Sequence, residues 1–176
     1  MNIKELQGVA SLLVQNQIAY TLGGSGLLAS LGLIEQVNDW DLLVDCSLEK
    51  LKAVLEPYPY SEQKSGDYPF ASQFRLQLIE QNIDIIGNFA LHSSSGTVTF
   101  PLTASSTWHG IHVGAPEIWF VAYKLMGRDA KAELLFNYLL RNEINESAVK
   151  RFIEEEPIDD SIKSVLFQLM NAHGKK

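Results

Sequence analysis

The chain has 176 residues, 46% hydrophobic and 20% charged, which is enough for one domain with a real core and excludes a disordered chain. Its formal net charge of −7, with no cluster of Lys or Arg, argues against a protein that lives on nucleic-acid phosphates. Acidity suits instead a neutral or cationic partner, or a nucleotide escorted by metal ions.

Residues 2–16 carry Ile3, Leu6, Val9 and Leu13 at helical spacing and predict an amphipathic helix. Ile18 to Leu22 is short, apolar and bounded by glycine, as a buried strand is, and Gly26 to Ile34 is a helix weakened by Gly26 and Gly32. Asp39 to Asp45 is the second strand. Ser47 then caps a helix reaching about Glu56. Pro57 to Pro69 reads as an exposed turn-rich loop. "SQFRLQLI" and "NIDIIGNFAL", joined by the Glu80-Gln81-Asn82 turn, read as an antiparallel hairpin. "TVTFPL" and "GIHVG" are further strand candidates. From Pro116, a favoured first helical residue, helices are predicted near 116–126, 129–141, 146–155 and 159–172. The expected architecture is thus α/β (α+β): a mixed sheet with packed helices in a core over 1–115, and a helical C-terminal region over 116–176 packed on it.

The single cysteine, Cys46, excludes an intramolecular disulfide and any multi-cysteine metal site. Following Leu42-Leu43-Val44, it reads as a buried inert thiol. Met1 to Gln7 lacks signal-peptide character, and no apolar run approaches the roughly 18 residues of a membrane span. A cytoplasmic protein without membrane contact is expected.

The chemistry concentrates in three places. Strand alternation puts Asp39 and Asp41 on one face with Cα atoms about 7 Å apart, and Trp40 and Leu42 on the other. Such a pair repels unless a cation such as Mg²⁺ joins it. Gly23-Gly24-Ser25-Gly26 ends a strand and opens a helix, a turn whose backbone N–H groups and Ser25 hydroxyl can hold phosphate. Asp84 interrupts an apolar strand, where it is costly to bury unless paired or metal-bound, although a hairpin residue facing water is an equal reading.

"LGGS", thirteen residues, "DWD" and a later "IDI" together resemble the nucleotidyltransferase superfamily typified by DNA polymerase beta. The closer likeness is to small bacterial members: minimal nucleotidyltransferases, aminoglycoside and lincosamide nucleotidyltransferases, and abortive-infection toxin relatives. It spans about residues 18–90, with a weaker echo in "APEIWFVAYKLMGRDAKAELL". The resemblance implies that Gly23, Gly24 and Ser25 hold a nucleoside triphosphate, and that Asp39, Asp41 and Asp84 bind two Mg²⁺ ions. Asp84 would also act as or assist the base. Lys124 and Arg128 read either as a solvated helix face or as phosphate contacts, and Arg75 as an exposed strand face or a phosphate contact.

The implied reaction moves a nucleoside monophosphate onto a hydroxyl of a small molecule or protein. Template polymerisation does not fit a short, acidic chain without a nucleic-acid module. The chain departs from the family at Glu35-Gln36-Val37-Asn38, where relatives often carry Arg or Lys before the first Asp. That departure motivates the alternatives: a nucleotide-sensing or protein-binding module without catalysis, or a toxin–antitoxin component.

Overall fold

The apolar stripe that begins at Ile3 does form a helix, α1 (Ile3–Gln15), burying Leu6, Val9, Ala10 and Leu13 and capped by the Asn2 side chain. The computed structural model describes residues 2–174; Met1, where the opening stretch begins, lies outside them. Strand β1 (Tyr20–Gly23) leads directly into α2 (Gly24–Ser30), and β2 (Trp40–Val44) into α3 (Leu48–Val54), whose N-cap Ser47 accepts from the Lys50 N–H. The expected hairpin is present as β4 (Phe74–Leu78) and β5 (Ile83–Gly87), paired antiparallel.

Two strands emerge where no apolar pattern announces them. β3 (Tyr60–Gln63) lies within the stretch expected to be loop, and β8 (Ala104–Trp108) is a run of small polar residues. They are the two edges of a seven-stranded mixed sheet ordered β3-β4-β5-β2-β1-β9-β8, where β9 is Ile111–Gly114. Each is held by backbone pairing to one neighbour, so it needs no buried alternation. The "TVTFPL" segment joins a separate two-stranded sheet, β6 (Ala90–His92) with β7 (Thr97–Thr99).

Beyond β9 the chain is helical: α4 (Pro116–Leu125), α5 (Asp129–Leu139), α6 (Glu146–Glu154) and α7 (Asp160–His173). α4 is apolar almost all round and lies in the interior, with Ile118, Trp119, Phe120, Val121 and Tyr123 buried. One hydrophobic cluster runs from Leu6 through the sheet residues Leu22, Leu42 and Ile85 to Leu166 and Leu169. Two buried carboxylates tie the helices in place. Glu117 accepts from the Asn145 N–H (2.6 Å), and Glu156 accepts from the Thr99 N–H and hydroxyl (both 2.9 Å) and pairs with Arg151. Among the described residues no helix is long and apolar enough to cross a membrane.

Candidate functional site

Asp41 sits where three strands meet. β2 runs antiparallel to β1 and parallel to β5, and the register sets Asp41 opposite Gly23 on one side and opposite Asp84 on the other. Two carboxylates therefore occupy neighbouring positions on one face of the sheet. Asp39 joins them from the segment just before β2. The Ser25 hydroxyl donates to its carbonyl (3.1 Å) and to its Oδ1 (3.3 Å). The Asn82 side-chain amide donates to the Asn38 carbonyl, and the Trp40 N–H donates to the Asn82 carbonyl (3.1 Å), so the β4–β5 turn fixes the approach to β2. Trp40 is buried behind the acids, tilted against Trp108.

The glycine turn is built around its neighbours. A Cβ on Gly23 would lie 1.9 Å from Cζ2 of Trp119, and one on Gly24, which has φ +52°, would lie 1.8 Å from Oδ2 of Asp41. Bare backbone is required because an indole and a carboxylate already fill those spaces. Gly24 and Ser25 are buried, and the Ser25 hydroxyl is committed to Asp39. The turn of Gly23, Gly24 and Ser25, expected to cradle phosphate, thus braces the acids, and none of the three lines the cleft that holds Asp39 and Asp41.

The cavity beside the acids is a cleft of about 230 Å³ lined by Asp39, Asp41, Arg75, Arg128, Phe89 and Trp119, with Lys64, Ser65 and Asp67 from the loop before β4. Arg128, just before α5, lines the cleft. Lys124 does not; it pairs with Asp129 and lines a separate groove against Phe120 and Phe136. Four positions separate the two residues, and the chain turns between them at Gly127, where φ is +66°. Tyr58, Tyr60 and Tyr68 do not line the cleft either, while Phe70, just after that loop, does.

Arg75 is the residue the sequence left open. Its guanidinium ion-pairs with Asp84 Oδ2, whose carboxylate is buried in the sheet. Its alternation with Phe74 and Leu76 was legible; its partner was not, because that depends on strand register. Burial, then repulsion from Asp39 and Asp84, raises the Asp41 carboxyl from 3.8 to about 7, against the opposing pull of Arg75 and Arg128. Burial and the charge of Asp41 also push the Tyr123 phenol upward. Asp84 Oδ1, Arg75 Nε, Trp119 Nε1 and Tyr123 OH are buried without a hydrogen-bond partner.

The raised carboxyl has a consequence for stability. The native state holds the Asp41 proton at pH values where the unfolded chain has released it, so this group's contribution declines as pH rises from about 4 to 7. Asp41→Asn should therefore gain on the wild type over that window. The shift sets a ceiling of about 4 kcal/mol, and solvent screening at this partly exposed group reduces it to roughly 1–2 kcal/mol. Urea unfolding of both proteins at pH 5 and 8 measures the difference; an unchanged gap between the two would contradict the crowding of the acids.

Among the described residues no three His, Cys, Asp or Glu side chains converge as a ready-made metal cage. The donor chemistry nevertheless fits a hard divalent cation: Asp39 and Asp41 share the cleft, and Asp84 beside them keeps one oxygen partnerless. The Cys46 thiol, partly buried and raised by burial, takes no part.

No protein-family model matches the chain, and no curated protein matches it in sequence. Solved structures match it in architecture. A proposed nucleotidyltransferase from Thermotoga maritima superposes with a TM-score of 0.55 at 21% identity, covering 80% of this chain and 93% of that one. The solution structure of the antibiotic-resistance factor ANT(2'')-Ia gives a TM-score of 0.59 at 14% identity, with all of both chains covered. The crystal structure of ANT(2'')-Ia in complex with adenylyl-2''-tobramycin gives 0.53 at 12% identity, covering 97% and 98%. The mixed sheet, with its paired strand-borne carboxylates and packed helices, is the nucleotidyltransferase fold.

Proposed function

We propose that the protein transfers a nucleoside monophosphate from a nucleoside triphosphate to a hydroxyl of a small molecule or protein, with Mg²⁺ as cofactor. The observation that carries this reading is the gathering of Asp39 and Asp41 with Arg75 and Arg128 in one cleft, with Asp84 in register beside Asp41. Like charges are assembled there at a cost to the fold, which is the mark of a site rather than of packing. The complex of ANT(2'')-Ia with adenylyl-2''-tobramycin adds that this fold accommodates a nucleotidylated small molecule.

Asp39 and Asp41 would hold the metal, with Asp84 as the third donor; the metal supplies Lewis-acid neutralisation of the phosphate oxygens when bound. Arg128 and Arg75, which line the same cleft, would bind the phosphate chain. The acceptor hydroxyl oxygen forms a bond to the α-phosphorus as the bond to the β-phosphate bridging oxygen breaks, and pyrophosphate leaves. Asp84, with its partnerless oxygen, would take the hydroxyl proton. Phe89, stacked on Trp119 at 5.5 Å, and Phe70 offer the apolar surface against which a base or acceptor can lie.

Calorimetric titration of the four ribonucleoside triphosphates, with and without Mg²⁺, tests the reading on wild type and on Asp39→Asn/Asp41→Asn. Metal-dependent binding lost in the variant is the expected outcome. Absence of binding to the wild type would leave a scaffold that works through protein partners. Arg128→Ala should weaken triphosphate binding roughly tenfold or more, as removal of one charged phosphate contact does, without altering the thermal unfolding temperature. Unchanged affinity would remove Arg128 from the site.

A further inference from the structure

We propose that Arg75 is a phosphate-binding residue that also serves as the resident counter-ion of Asp84, so that metal ion and phosphate chain are taken up together. The proposal rests on the nucleotidyl-transfer reading and adds to it a second role for Arg75 and a coupling between ligands.

Gln77 on β4 faces Asp84 on β5, so Arg75, two positions earlier, lies on the same face and diagonal to Asp84. The Asp84 side chain is 5% exposed, whereas that of Arg75 is 37% exposed and forms part of the cleft wall. The carboxylate is therefore fixed and the guanidinium is the free end of the pair. A guanidinium has five N–H donors. One is given to Asp84 and the Nε donor is buried without a partner. A donor fork incompletely used, in a cleft that Arg128 also lines, matches a phosphate chain, which is rich in acceptors and multiply charged. With no positive charge in Glu35-Gln36-Val37-Asn38, these two arginines and Lys64 are the cations that line the cleft.

Asp84 needs the pairing as much as Arg75 supplies it. A carboxylate buried beside Asp41 carries an uncompensated charge unless a cation adjoins it. Arg75 supplies that charge where a divalent ion would otherwise do so. An ion that takes Asp84 Oδ2 releases the guanidinium, and a phosphate alongside receives it. One ion pair is exchanged for two interactions, so each ligand should bind more tightly in the presence of the other.

The experiment uses Mn²⁺ alone, followed by electron paramagnetic resonance, and inorganic tripolyphosphate with and without Mn²⁺, followed by calorimetry. Tripolyphosphate carries the phosphate chain whatever the base may be. Arg75→Ala should bind Mn²⁺ alone about tenfold more tightly, bind tripolyphosphate about 10- to 100-fold more weakly, and lose the mutual enhancement. Arg75→Lys, which keeps the charge without the planar fork, should fall between wild type and Arg75→Ala. Thermal unfolding covers the possibility that Arg75→Ala folds poorly: it should recover more stability from Mn²⁺ than the wild type does. Affinities that fall together for Mn²⁺ and tripolyphosphate would make the pair a structural brace and overturn the proposal. So would wild-type binding of both with no change in Arg75→Ala. A wild type that binds neither removes the functional reading itself, and this inference with it.

Discussion

Asp41→Asn is expected to reduce nucleotidyl transfer by at least about a thousandfold while leaving the fold as stable as the wild type or more so. The activity loss follows from position: Asp41 lies between Gly23 and Asp84 in the register and lines the cleft with Asp39. On the proposed metal role of Asp41, its removal forfeits several kcal/mol of transition-state charge stabilisation, and about 4 kcal/mol is a factor near a thousand. The stability gain follows from the same crowding, since an amide carries no charge to repel Asp39 and Asp84. The two effects point in opposite directions, so a damaged fold cannot mimic the result. Pyrophosphate release with an acceptor, measured beside urea unfolding, checks both; normal transfer by the variant would sink the metal assignment.

Gly24→Ala should be nearly as damaging by a different route. Its φ of +52° disfavours alanine, and the new methyl would overlap the Asp41 carboxylate at 1.8 Å. The backbone strain is worth about 1–3 kcal/mol. Displacement of a site carboxylate by about 1 Å costs roughly a hundredfold in rate. Gly23→Ala provides the contrast. Its methyl meets the Trp119 ring, which is packed on Phe89, so that variant should lose stability first, by about 1–3 kcal/mol or more. Thermal unfolding and transfer rate measured on both variants separate the roles. Equal stability of Gly23→Ala and wild type would mean that the Trp119 ring can move aside.

These contrasts show why the glycine turn was only half legible. A strand–glycine–helix junction has two physical uses, close approach of a ligand and close approach of another side chain, and the local sequence is the same for both. Trp119 lies 96 positions beyond Gly23, and only the packing of α4 under the sheet brings the indole to the turn. Lys124 and Arg128 were likewise indistinguishable as charges on a helical stretch. Where α4 ends and the chain turns at Gly127 decides that Arg128 faces the cleft and Lys124 faces Asp129.

The sequence by itself determined the elements whose residues carry a buried period. The stripe of α1, the apolar runs of β1, β2 and β5, the β4–β5 hairpin and the four C-terminal helices were all readable, because burial on a repeating face selects residue types locally. It also placed Asp41 on one strand and Asp84 on another, because acids in apolar strands stand out against the burial cost; Asp39, expected on the same strand as Asp41, lies just before it. Tertiary structure alone decided the edge strands β3 and β8, which are held by backbone pairing that leaves no apolar pattern. It alone decided the pairing of Arg75 with Asp84, the closure of Trp119 over Gly23, and the cleft that gathers the acids with Arg128. Register and long-range packing set those relations, and they depend on residues far apart in the chain whose individual identities carry no local signature.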